Sequence, residues 1–230
     1  MFLLRSLIFV PVFYVGSIPY VLGAFIGTYL STSLMRKSVR GWAIYHRFTM
    51  RWILGIRFCV EGELTDGAVL YAIKHESFME TIDMPRLFHL PAVVTKSELF
   101  DILFWGTAAK AYGMIPVDRE GGASGLREMI KLAREIKAAN RPIVIFPEGT
   151  RVPHGERPPL QSGFAGLYKL LNMPVVPIAV NSGKLTPKGK PYWHKGVMTY
   201  KVGATIPPGL PRDEVEAKVH AAINALNGSN

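Results

Sequence analysis

A chain of 230 residues with 49% apolar and 19% charged side chains can bury one substantial core, and this composition excludes a disordered polypeptide. Its one cysteine, Cys59, excludes an intrachain disulfide, and with six scattered histidines it offers no zinc-finger spacing. The net charge of +10 is uneven: seven basic and no acidic residues precede Glu61, so the basic excess sits at the N-terminus and, with no nucleic-acid motif in view, argues against a nucleic-acid partner.

Residues 7–30, LIFVPVFYVGSIPYVLGAFIGTYL, carry no charge over 24 positions. As a helix this run would extend ~36 Å, enough to cross a bilayer. Pro11 and Pro19 fall inside it, which predicts a break and favours a kinked hairpin dipping into one leaflet over a single crossing. The run is too long for a secretory signal, and no small-x-small cleavage site follows it before the basic cluster. The alternative is a buried helix pair of a soluble fold. In SLMRKSVRGWAIYHRFTMRWILGIRF, residues 33–58, Arg40, Arg47 and Arg51 share one helical face, and Trp42, Tyr45, Trp52 and Ile56 interleave with them. This predicts a basic amphipathic helix lying at a membrane interface. Arginines after the apolar run place the next domain on the cytoplasmic side of the inner membrane. The expected organisation is residues 1–60 as membrane-anchoring helices and 61–230 as the globular domain.

From residue 61 short apolar runs alternate with helical segments. Strands are expected over 68–73, 92–95, 114–117, 143–146, 175–180 and 197–202, and helices over 79–87, 100–111, 124–139, 163–171 and 212–226. This alternation predicts an α/β fold with a mostly parallel central sheet flanked by helices. In such sheets reactive groups gather at the carboxyl ends of the strands.

The first such end is AIKHESFMET, residues 72–81. His75-Glu76 begins like H-E-x-x-H, but Met79 stands at the second histidine position, so no zincin site forms. Glu80 closes SFME, an S-x-x-E capping box, and on these residues alone its simplest role is to accept the Ser77 backbone N–H. GGASG (121–125) lacks the ending of a phosphate-binding P-loop, and LQSGF around Ser162 is no nucleophile elbow.

Three further strand ends change the weight of these residues. GMIPVDR (113–119) and FPEGTR (146–151) each end in arginine, and VPIAV (176–180) is an apolar strand containing proline. In order and content these blocks, with His75 to Glu80 before them, resemble the glycerophospholipid acyltransferase family, and the bacterial 1-acylglycerol-3-phosphate acyltransferases in particular. KSEL (96–99) resembles a further family element. The resemblance covers residues 60–205. It departs at Glu80, where the family usually has aspartate; Asp83, eight residues from His75, is the alternative carboxylate.

The resemblance implies an acyl group moving from acyl-CoA or acyl carrier protein to the 2-hydroxyl of 1-acylglycerol 3-phosphate, with no cofactor and no metal. His75 would be the general base and Glu80 the carboxylate orienting it. The hydroxyl belongs to the substrate, so no acyl-enzyme is required. Lys96, Arg119 and Arg151 would hold the acceptor phosphate. Glu148 and Thr150 would contact the glycerol hydroxyl or order the loop, and Gly149 would let the backbone approach the ligand. The membrane lipid lysophosphatidate is the expected partner. Another lyso-lipid, such as a lyso-ornithine lipid, or a non-catalytic lipid-binding role on the same fold are the alternatives.

Overall fold

Every residue of β2 (Leu70–Ile73) and of β6 (Val175–Val180) is buried, so helices must cover both faces of the sheet that holds them. The computed structural model, which describes residues 2–118 and 122–228, has this three-layer arrangement. The other strands are β1 (Ile56–Glu61), β3 (Ala92–Lys96), β4 (Ile115–Val117), β5 (Ile143–Ile145) and β7 (Gly196–Val202). Among the described residues they form one seven-stranded sheet in the order β1-β7-β6-β2-β5-β3-β4, parallel except between β6 and β7.

Strand alternation divides the core in two. Leu70 and Ala72 face Met129, Phe164 and Val219 from α5 (Gly122–Ala138), α6 (Ser162–Leu171) and α8 (Arg212–Ile223). Tyr71 and Ile73 face Phe9 and Phe13 of α1 (Phe2–Leu30) and Met79 and Met84 of α3 (Met79–Leu87). Because β2 to β6 run parallel, their carboxyl ends open along one edge.

The six expected strands and five expected helices all occur, α3 and β6 with the expected bounds. Three features differ. Strand β1, counted by sequence with the N-terminal segment, pairs in parallel with β7 from Ile56↔Gly196 to Glu61↔Lys201, so the sheet takes in residues from Ile56. Gly55, at φ 74°, ends the preceding helical turn, a conformation open to glycine because it has no Cβ. The strand's alternation was masked by the arginine spacing that runs into it.

The second difference is the N-terminal run. Helix α1 continues through Pro11 and Pro19, and the chain reverses only at Ser31, whose Oγ accepts from Leu34 N at the start of α2 (Thr32–Thr49). The break expected at the prolines does not occur. Antiparallel packing against α2 supports the helix: Tyr45 Oη donates to Val12 O at 2.6 Å, and Trp42 Nε1 donates to Ser17 Oγ at 2.8 Å. At Gly27 the helices approach so closely that a Cβ would lie 2.4 Å from Met35 N. Trp42 is therefore an internal tie between the helices. Of the three arginines expected on a lipid-facing side, Arg47 instead turns inward and grips Asp83 of α3 with two bonds of 2.6 and 2.7 Å.

The third difference is the helix expected over 100–111. A 3₁₀ turn (Ser97–Asp101) is followed by a tight turn, and α4 (Trp105–Tyr112) starts only after Phe104, at φ 64° and ψ −45°.

Candidate active site

Strand β2 delivers Lys74 and His75 to the carboxyl edge of the sheet, and the first turn of α3 returns Glu80 beneath them. Glu80 is fully buried, and each of its oxygens is engaged. Oε1 accepts from Glu76 N at 2.7 Å and Ser77 N at 2.6 Å and lies 3.0 Å from His75 Nδ1; Oε2 accepts from Ser182 Oγ at 2.8 Å. Capping the helix and orienting the imidazole are thus one arrangement. A carboxylate that takes two backbone N–H groups is immobile, so the ring it holds is aimed. With Nδ1 donating to Glu80, a neutral His75 carries its lone pair on Nε2. The ring also lies against Phe146, at 4.3 Å between centroids. Asp83, the alternative partner, is occupied elsewhere: beside its two bonds from Arg47, Tyr200 Oη donates to Oδ2 at 2.9 Å.

The FPEGTR segment turns directly after β5. Gly149 adopts φ 70°, and a Cβ there would meet Gln161 Cγ at 2.7 Å, so both conformation and space call for glycine. Glu148 is buried below this turn. Its Oε1 lies 2.5 Å from Lys74 Nζ, and Oε2 accepts from His75 N at 2.9 Å. Both oxygens of Glu148 are thus engaged within the fold. Val152 N donates to His75 O at 2.8 Å, tying the turn to the histidine.

His75, Lys96, Gly149, Thr150 and Arg151 line one cavity of about 1410 Å³. It runs from the carboxyl edge of the sheet between α1, α3 and α4, where Phe13, Phe78 and Ala108 make its walls apolar. Arg119 lies outside the described residues. Among the described residues no cluster of metal-ligating side chains occurs.

Several site residues carried no sequence signal. Lys74 is wholly buried and binds Glu148, Glu156 O at 2.8 Å and Asn224 Oδ1 at 2.9 Å. Its partners are distant in the chain, so nothing local in the sequence marks it. Ser182 reaches Glu80 from α7 (Ser182–Leu185), likewise remote. Glu76 attracted notice only within a failed zinc motif. Buried, it accepts from Gly183 N at 2.7 Å and lies 2.9 Å from His154 Nδ1.

Burial pushes the Glu76 carboxyl up to about 8; the charges of Glu80 and Glu148 reinforce this, while the Gly183 N–H and Lys74 oppose it. Burial first, then Lys184 and Lys74, lowers His154. Both shifts favour a neutral pair in which Glu76 donates to His154. An unfolded glutamate loses its proton near 4.5, so between 4.5 and about 8 the folded chain holds one proton more, and the contribution of this group to stability declines as pH rises. Glu76→Gln keeps a donor and an acceptor but cannot ionise. Its stability relative to the parent is expected to rise by on the order of 1–3 kcal/mol between roughly pH 5 and 8.5, as one pKa unit corresponds to about 1.4 kcal/mol. Denaturant unfolding at both pH values checks this; a pH-independent gap contradicts it.

The family model described as "Acyltransferase" matches residues 57–181, over half of the chain; this span holds His75, Glu80, Lys96 and the FPEGTR turn, while their supporting neighbours Ser182, Gly183 and Asn224 follow it. A Pseudomonas aeruginosa protein named 1-acyl-sn-glycerol-3-phosphate acyltransferase is 29% identical over 191 residues, covering 82% of this chain and 72% of that one. A Helicobacter pylori protein of the same name is 32% identical over 137 residues, 58% of this chain and 57% of that protein. The crystal structure of the 1-acyl-sn-glycerophosphate acyltransferase PlsC from Thermotoga maritima superposes with a TM-score of 0.77 over 100% of this chain and 99% of that chain, at 20% identity, which shows a shared fold. With a family model that spans more than half its length and takes in both the His75–Glu80 pair and the FPEGTR turn, the chain belongs to the acyltransferase family.

Proposed function

We propose that this enzyme transfers a fatty acyl group from acyl-CoA or acyl carrier protein to the 2-hydroxyl of 1-acylglycerol 3-phosphate, forming phosphatidate. The observation that carries this reading is the His75–Glu80 pair, joined at 3.0 Å, on the wall of a long apolar cavity that it shares with Lys96, Thr150 and Arg151. An alcohol is a poor nucleophile near neutral pH. His75 Nε2 takes its proton as the oxygen attacks the thioester carbonyl, and Glu80 stabilises the imidazolium that forms. When the tetrahedral intermediate collapses, the C–S bond breaks and the imidazolium returns the proton to the departing sulfur. No residue is acylated.

Arg151 presents a planar fork suited to a phosphate, and Lys96, which lines the same cavity, adds a second charge. Arg119 joins them on the sequence resemblance. The apolar walls suit acyl chains. Arg151→Ala is expected to raise the acceptor KM by ~10–100-fold while leaving kcat within a few-fold, the loss of one charge-assisted contact pair. An unchanged KM contradicts a phosphate clamp.

The surface supports membrane association. Helix α1 exposes Leu4, Tyr14, Val15 and Leu30. It is nonetheless held to the α/β body near both ends, by Phe9 against Trp193 and by Phe25 against Phe104. A helix fastened along its length is suited to lying in one leaflet, and the positive charge of α2 supports a cytoplasmic position for the body. The whole reading is tested by an acyl-transfer assay of purified protein in detergent. Acyl-CoA and acyl carrier protein are compared over a panel of lyso-lipids, including lyso-ornithine lipid and the acceptor without its phosphate. Turnover is expected with lysophosphatidate and abolished on removing the phosphate.

A further inference from the structure

We propose that the turn of Ile102, Leu103 and Phe104 is a second membrane-inserting element, and that it forms the side mouth through which lipid chains pass from the bilayer into the cavity. The proposal rests on the reading that the cavity receives acyl chains, and extends it to the route they take.

Three consecutive large apolar side chains are exposed here, by 50%, 75% and 38%. A turn facing water is ordinarily polar or rich in glycine and proline, yet DILFWG offers no polar residue between Asp101 and Gly106. The turn is also built. Phe104 holds a positive φ of 64°, rare for a bulky residue, and Trp105 N donates to Leu103 O at 2.7 Å. Gly106 lets the chain fold back closely, since a Cβ at that position would meet Phe100 O at 1.8 Å. Such a conformation keeps Leu103 outward.

Two contacts identify the surrounding medium as lipid. Phe104 packs edge-to-face on Phe25 of α1 at 5.0 Å, so the tip continues the apolar face that α1 exposes through Ile26, Tyr29 and Leu30. All three residues of the turn also line the cavity that reaches His75. An acyl chain leaving α1's surroundings at this point enters the cavity without crossing water. Arg36 and Arg40 of α2 carry their charge close to Tyr112 at the end of α4, a cationic fringe at the level expected for anionic headgroups. A protein partner is less suited, since a specific interface usually takes about 800 Å² from each side, far more than three residues present.

The test uses the full chain reconstituted in phosphatidylglycerol–phosphatidylcholine vesicles, with the exposed Cys59 changed to serine. An environment-sensitive fluorophore is placed at Leu103→Cys, at Val15→Cys on the outer face of α1, and at Lys218→Cys on α8. Lipids brominated at mid-chain are expected to quench the first two labels several-fold and leave the third unchanged. Quenching at 15 but not at 103 overturns the inserted turn; quenching at neither ends the membrane reading as well. A blue shift at 103 that depends on protein concentration in detergent, without lipid, identifies a second copy as the occupant and also overturns it. For the mouth, Leu103→Gln should raise the apparent KM for a long-chain acceptor in vesicles several-fold and leave turnover of a short-chain, water-soluble acceptor within two-fold. An equal change for both, or none for either, refutes passage at this point.

Discussion

Replacing His75 with alanine lowers acyl transfer by ~10²–10⁴-fold, the range that one positioned general base contributes, while lipid binding and folding persist. Alanine removes the only imidazole that lines the cavity among the described residues and leaves the cavity, Arg151 and Lys96 in place. Glu80→Gln should lower the rate as well, because an amide cannot stabilise the imidazolium and can present its N–H to the ring. Since Glu80 also accepts from Glu76 N, Ser77 N and Ser182 Oγ, this variant is expected to lose stability too, so its kinetics are read beside its unfolding midpoint. Asp83→Asn supplies the contrast. It weakens the grip of Arg47 and should lower stability with little change in the pH–rate profile. Steady-state kinetics of the three variants decide: undiminished turnover in His75→Ala removes the base, and a collapse confined to Asp83→Asn moves the dyad.

The largest expected effect on stability is at Lys74. Lys74→Met places an apolar chain of similar length where the ammonium was, leaving Glu148 buried without its cation. Removing one partner of a buried pair typically destabilises by ~3–5 kcal/mol. Denaturant unfolding of the single variant should show a loss in this range. Adding Glu148→Gln should recover part of it, because the amide carbonyl can still accept from His75 N while the stranded charge is gone. A single variant within about 1 kcal/mol of the parent would mean that Glu148 takes up a proton at little expense, so that the pair is not what holds the FPEGTR turn.

Folding and stability therefore meet at the same few atoms. Glu80 caps a helix and orients the proposed base, and Glu148 balances a lysine and accepts from the backbone N–H of that histidine. Truncating either should move rate and stability together, whereas Arg151, exposed on the turn, should move acceptor affinity alone.

What the amino-acid sequence determined by itself was local and periodic. Continuous apolar runs marked β2 and β6, because strands buried on both faces cannot alternate. The 24 uncharged residues from Leu7 to Leu30 marked a long apolar helix, and the spacing from His75 to Glu80 brought their side chains within reach across a single helical turn. Tertiary structure alone decided everything that depends on distant partners. It decided that Glu148 is buried against Lys74 as its counter-ion; that Pro11 and Pro19 remain within one helix, because α2 packs along it; that Arg47 faces Asp83; and that β1 belongs to the sheet. Sequence spacing reports which side chains share a face of one element, but the burial and charge balance of a site are sums over neighbours that only the folded chain assembles.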